Sequence, residues 1–255
     1  MKTHPSVLLG LFVAAASTAF AATVPYSDSF DSSSTAGWTT GGSINASTTW
    51  AIANAAGSNV YQATTGNSAG NFTSVVQLTN VNPALENFTM TSTFKVTDGT
   101  IAQFVGFAAF SNNITPGVGS NYLADIDRGG GMRILAQNDS SGFTSTTAGF
   151  GSILLNTSYT MSLSGVYVGT TLNLTFTVTN GTTTQSVTAT DLTPLTGQYF
   201  GYRMNNGTAN DPMQVQFSNF DVTTGAIPEP ASTAALLGLG ALGTVLFSRR
   251  PRTTL

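Results

Sequence analysis

Residues 87–96 read Asn-Phe-Thr-Met-Thr-Ser-Thr-Phe-Lys-Val (NFTMTSTFKV), with Phe88, Met90, Phe94 and Val96 alternating against Thr89, Thr91, Thr93 and Lys95. A period of two puts successive side chains on opposite faces of an extended strand, so one face here is apolar and the other wet. The same rhythm returns along the chain. Leu172, Leu174, Phe176 and Val178 alternate with Asn173, Thr175 and Thr177; Tyr159, Met161 and Leu163 form another run, and Met213, Val215 and Phe217 a third. In the third run the phase slips at Ser218-Asn219 and resumes with Phe220 and Val222, which predicts a bulge. Residues 22–226 contain no convincing helical period.

Turn signals separate the runs: Asp98-Gly99, Asn180-Gly181, Asn206-Gly207 and Gly129-Gly130-Gly131. Two alternating runs around Asn180-Gly181 make residues 170–191 the clearest hairpin. The stretch Ile101 to Phe110 is apolar on both faces, with Val105 and Phe107 on one and Phe104 and Phe110 on the other, as expected of a central strand. About a dozen short antiparallel strands with no helix predict an all-β sandwich.

Composition narrows the functions available. The 255-residue chain has no cysteine, which excludes a disulfide framework, thiolate metal sites and thiol nucleophiles. Its only histidine is His4, and its only lysines are Lys2 and Lys95. No basic patch is available for a phosphate backbone, so nucleic acid is not an expected partner. Low charge combined with ample apolar mass describes secreted β-structure rather than disorder.

The two ends carry addresses. Lys2 supplies a positive start, Val7 to Ala16 an apolar run, and Ala19-Phe20-Ala21 the small-x-small pattern of a cleavage site. Residues 1–21 are therefore expected to be a signal peptide, cut after Ala21 or Ala22 by signal peptidase. Removal takes His4 with it. At the other end Ala231 to Ser248 carries no formal charge, and Arg249, Arg250 and Arg252 follow directly. A helix over 231–248 would reach roughly 27 Å, enough to cross a bilayer core. The arginines would hold their end in the cytoplasm and leave the rest of the chain outside.

Pro228-Glu229-Pro230, then the apolar glycine-containing helix, then the basic tail 249–255 resembles the PEP-CTERM sorting signal of Gram-negative bacteria. Residues 253–255 extend past the arginines where that signal usually stops. The resemblance implies recognition of Pro228, Glu229 and Pro230 by an exosortase, transient residence in the inner membrane, and delivery to the cell surface or extracellular matrix. Prolines at 228 and 230 oppose helix, which keeps the motif extended at the outer membrane surface where an enzyme can reach it.

Residues 22–226 form the remaining domain. Its opening DSFD (residues 28–31), its early tryptophans at 38 and 50, and FVGFAAF, YLADIDRGGGMRIL and the closing VQFSNFDVT make it similar to concanavalin A-like and laminin-G-like jelly rolls. That resemblance implies that the first and last strands lie side by side. The laminarinase-type hydrolases among such folds use a Glu-x-Asp-x-x-Glu arrangement, and that motif is absent here because Glu86 is the only glutamate in the domain. The lectin metal site of such folds, built on His, Glu and aspartates, cannot be assembled either, so neither metal nor cofactor is expected. A Ser-His-Asp triad lacks its base.

One acidic constellation remains, Asp125-Ile126-Asp127 followed by Arg128 and three glycines. Alternation puts Leu123, Asp125 and Asp127 on one face of a strand and Tyr122, Ala124 and Ile126 on the other. With a turn at Gly129–Gly131, Arg133 returns opposite Asp125. One reading is a cross-strand ion pair on a solvated face. The other makes Asp125, Asp127 and Arg133 the polar floor of a sugar-binding concave face, with Trp38, Trp50, Tyr61 and Tyr122 as stacking platforms. Core packing is the competing expectation for the two tryptophans. The function expected is an exported, non-enzymatic surface or matrix protein that binds polysaccharide or serves a structural role. A secreted polysaccharide hydrolase or lyase with an Asp-centred site is the alternative.

Overall fold

The computed structural model describes residues 25–42, 48–66, 69–78, 86–99, 103–113, 119–137, 142–147, 149–207 and 211–226. Among them are sixteen strands and no helix. The first eight are β1 (Tyr26–Asp28), β2 (Trp38–Gly42), β3 (Thr48–Ala55), β4 (Ser58–Thr65), β5 (Gly70–Gln77), β6 (Glu86–Asp98), β7 (Gln103–Ser111) and β8 (Asn121–Asp127). They are followed by β9 (Met132–Gln137), β10 (Thr144–Thr147), β11 (Ser158–Val168), β12 (Thr171–Thr179), β13 (Thr184–Asp191), β14 (Tyr199–Asn206), β15 (Gln214–Phe217) and β16 (Phe220–Ala226).

These strands make two antiparallel sheets. One is nine-stranded, running β13-β12-β11-β6-β15-β4-β3, with β16 also beside the long β6 and β1 outside β16. The other is seven-stranded, in the order β10-β9-β8-β7-β14-β5-β2. The first and last strands do pair, Tyr26 opposite Val222 and Asp28 opposite Phe220. The sequence pattern predicts about a dozen strands. The larger number comes from short pieces such as β1, β10 and β15, which are three or four residues long.

The stretch 87–96 forms most of β6, the hub of the larger sheet. Phe88, Met90, Phe94 and Val96 are buried in the layer between the sheets, where they join residues from both. Ser92 points inward with them. Its hydroxyl meets the Tyr202 hydroxyl at 2.9 Å and donates to the Asn219 carbonyl at 2.6 Å. A buried hydroxyl needs such partners, because an orphan costs about 1–3 kcal/mol.

The predicted irregularity at Ser218-Asn219 is present and has a visible cause. Phe217 pairs with Phe94 and Asp221 with Thr91, so β15 and β16 carry one extra residue against β6. The Asn219 side chain fills the break, its Oδ1 accepting the Thr93 amide at 2.9 Å. The hairpin of β12 and β13 also forms, closing with Asn180 Oδ1 accepting the amides of Thr182 and Thr183.

Strand β7 lies at the centre of the smaller sheet, as its doubly apolar sequence requires. One side chain departs from strict alternation. A register shift between Tyr199 and Gly201 places one extra residue of β7 against β14, and Phe110 adopts φ +50. The bulge turns Ala109 and Phe110 both into the core. Phe110 therefore does not share the outer face with Phe104.

All described residues lie within 22–226. The expected signal peptide (1–21, with Ala19 and Ala21), Pro228, Glu229, Pro230, the helix over 231–248 and Arg249, Arg250 and Arg252 lie outside them. Among the described residues no helix is long and apolar enough to cross a membrane.

Candidate functional site

The turn between β8 and β9 organises the outer face of the seven-stranded sheet. Gly130 sits at φ +91, a conformation that favours glycine, and its amide donates to the Asp127 carbonyl at 3.0 Å. The Gly131 amide donates to Asp127 Oδ1 at 3.0 Å, which fixes that carboxylate against the turn. Asp125 then falls opposite Arg133. Tyr122, Ala124 and Ile126 enter the core, while Leu123, Asp125 and Asp127 occupy the other face.

Asp125 is the centre of an ion-paired row. Arg133 donates from Nε to Oδ1 at 2.7 Å and from Nη2 to Oδ2 at 3.3 Å. Arg203 of β14 reaches the same carboxylate from the other side, through Nη1 to Oδ2. Strand β7 lies between them, with Gly106 opposite both Asp125 and Arg203. A Cβ at Gly106 would stand 2.6 Å from the Asp125 Cβ and closer still to the Ala124 carbonyl. The missing side chain is what lets carboxylate and guanidinium meet across an intervening strand.

The row is deeply set. Asp125 is 0% exposed and Arg203 4%, whereas the Arg133 side chain is 26% exposed. Asp125 and Arg133 are thus paired as one reading of the sequence expects, but the pair is not on a solvated face. Burial lowers the Arg203 guanidinium to about 9. Burial also lowers Arg133, and the nearby charge of Asp127 opposes that fall. Further along the row, Arg203 Nη2 donates to Asn71 Oδ1 at 2.8 Å and Asn205 Nδ2 to the same oxygen at 2.7 Å. The Arg133 guanidinium lies 3.9 Å from the Phe104 ring centre, a cation–π contact.

The four expected stacking platforms are elsewhere. Tyr61 and Tyr122 are 0% exposed and Trp38 9%, all in the layer between the sheets. Trp38 stacks on Tyr202 at 5.5 Å and donates from its indole to Asp28 Oδ2 at 2.8 Å. Tyr122 donates to Asp191 and accepts the Leu195 amide. Trp50, half-buried on β3, packs against Tyr61 and Phe217. None of the four belongs to the face that holds Asp125, so their assignment as sugar platforms is corrected to core packing. Two aromatics do reach that face, Phe104 beside Arg133 and Tyr199 of β14 packed against Val75, Ala108 and Leu123.

Arg203, Gly106, Phe104 and Asn71 are site residues that local sequence reading missed. The available signals were the scarcity of cations (Lys95, Arg128, Arg133 and Arg203 across 25–226) and the isolated glycine inside the apolar FVGFAAF. Among the described residues no three His, Cys, Asp or Glu side chains converge as a metal site would require.

Comparison with known proteins agrees with both halves of this picture. Residues 226–250 match the model of the PEP-CTERM protein-sorting motif, which marks the chain for export and membrane-associated sorting. No curated protein matches the chain. Among solved structures, a protein of unknown function from Shewanella oneidensis MR-1 has a TM-score of 0.55 at 14% identity, covering 90% of this chain and 99% of its own. The lectin UEA-II complexed with galactose has a TM-score of 0.56 at 11% identity, covering 79% and 98%. A Bacillus subtilis protein of unknown function with a galectin-like fold has a TM-score of 0.56 at 12% identity, covering 79% and 96%. The fold is thus the lectin-like, concanavalin A-like jelly roll.

Proposed function

We propose that this is an exported cell-surface or extracellular-matrix protein whose sandwich binds polysaccharide without turning it over. In this reading signal peptidase and the secretion machinery deliver the chain, residues 231–248 hold it in the inner membrane, and an exosortase acts at Pro228-Glu229-Pro230. The binding face is the outer surface of the seven-stranded sheet. The observation that carries the reading is the convergence of Arg133 and Arg203, two of the domain's four cations, on Asp125 beside an open hollow. A rigid, charge-paired floor of this kind presents fixed donors and acceptors to hydroxyl-rich ligands.

Support for a non-catalytic role comes from how the carboxylates are spent. Asp125 is held by two guanidiniums, which leaves Asp127 as the single carboxylate among the described residues with an oxygen open to the hollow, and Glu86 sits on β6 in the other sheet. A glycosidase needs two carboxyl groups free to flank one bond. The test is retention of the full chain on immobilised neutral glucan, assayed in parallel for release of reducing ends. Retention that Arg133→Ala abolishes, with no reducing ends released, supports the proposal. Reducing-end release lost in Asp125→Asn would replace it with hydrolysis.

A further inference from the structure

Beside the ion-paired row lies a hollow of about 270 Å³ lined by Phe104, Asp127, Gly131, Arg133, Thr146 and Thr147. Two of these groups are already fixed and still have capacity. Arg133 commits Nε and Nη2 to Asp125, which leaves Nη1 as a donor with no hydrogen bond among the described residues. Asp127 commits Oδ1 to the Gly131 amide, which leaves Oδ2 as an acceptor. The guanidinium is clamped by Asp125 and backed by the Phe104 ring, and the carboxylate is tied to the turn. Neither has to give up much freedom to meet a ligand.

The charges matter as much as the hydrogen bonds. Within the hollow, Asp127 and Arg133 cancel. In the row beneath, Asp125 and Arg203 cancel. Residues 25–226 carry ten acidic and four basic side chains, a surplus of six negative charges. A glycan bearing carboxylates or sulfates would approach a negative domain and find no uncompensated cation. An uncharged glycan meets no such opposition.

Resting on the polysaccharide-binding reading, we propose that this hollow takes an uncharged sugar through two adjacent hydroxyls. One donates to Asp127 Oδ2, and the other accepts from Arg133 Nη1. Neighbouring hydroxyls on a pyranose ring supply that donor-plus-acceptor pair, whereas an isolated hydroxyl satisfies only one side. The Phe104 face is taken up by Arg133, so it orients the guanidinium rather than stacking on the sugar. Recognition is therefore by hydrogen bonds across a diol.

The test uses the full chain in detergent, captured on a biosensor and exposed to soluble polymers. Dextran and mannan are neutral and carry adjacent free hydroxyls. Dextran oxidised with periodate and reduced with borohydride has lost them. Laminarin, linked through O3, lacks them along its backbone, and polygalacturonate has them together with a carboxylate. Binding to dextran or mannan, weakened at least tenfold by periodate treatment and at least tenfold by Asp127→Asn, is the expected result. The asparagine keeps the oxygen that accepts from Gly131, and an unchanged melting temperature establishes that the turn survives. Preference for laminarin or polygalacturonate, or indifference to Asp127→Asn, overturns the diol assignment while leaving polysaccharide binding in place. Failure to bind any of these polymers overturns both.

Discussion

Replacing Asp125 by Asn isolates the energetic role of the buried row. The change keeps size and one acceptor oxygen, so Arg133 Nε retains a partner, but it removes the charge that faces Arg203. Arg203 is 4% exposed, and its remaining hydrogen bond is from Nη2 to Asn71. Removing one partner of a buried ion pair costs about 3–5 kcal/mol. The retained acceptor places Asp125→Asn near the lower end, about 3 kcal/mol. For a domain of this size that corresponds to a melting temperature lower by roughly 6–12 °C. The assay is thermal and urea unfolding followed by near-ultraviolet dichroism, which the buried Trp38 and Tyr202 stack makes sensitive to tertiary packing. Arg203→Met and the double variant complete a cycle. If the row acts as a unit, the double variant loses at least about 1 kcal/mol less than the sum of the singles. A loss under about 1 kcal/mol for Asp125→Asn, or strict additivity in the cycle, would refute the reasoning.

Gly106→Ala should cost about 1–3 kcal/mol by forcing β7 and β8 apart, and an unchanged urea midpoint would contradict the close approach seen there. Asn219→Ala removes the acceptor for the Thr93 amide at the bulge; a loss of about 1–2 kcal/mol is expected, with faster exchange of that amide proton as the direct readout. In alkali, burial pushes Tyr26, Tyr61 and Tyr167 up to about 12, so the unfolded chain, whose phenols ionise near ~10, sheds protons that the folded chain keeps and stability falls from about pH 10 to 12. Urea midpoints at about pH 8, 10 and 11 read this directly, and midpoints that do not fall across that range would contradict it. Pro228→Ala with Glu229→Gln should leave the chain uncleaved and retained in the membrane fraction; surface delivery at the normal rate would contradict the sorting role of the motif.

Alternation made the fold class legible because each strand has one face in the core. Residues 87–96, 172–178 and 213–217 declare that directly, and the phase slip at Ser218-Asn219 declares the bulge. Register between distant strands is not written locally. Nothing around Arg203 indicates that β14 lies two strands from Asp125, because that neighbourhood is created by sheet order. The bulge at Phe110 was equally hidden, since a run apolar on both faces carries no phase to slip. Tyr122 is a different case. Its parity with Ala124 and Ile126 already set it opposite Asp125, and the buried outcome follows from that parity. The tryptophans have no such parity marker, and only the closed sandwich places Trp38 against Tyr202 and Trp50 against Phe217.

Hydrogen–deuterium exchange of the full chain with and without saturating dextran or mannan tests the central claim most directly. Slowed exchange confined to the turn from Asp127 to Arg133 and to Thr146-Thr147 is the predicted result. Protection on the threonine-rich outer face of the nine-stranded sheet, or no protection anywhere, would contradict it.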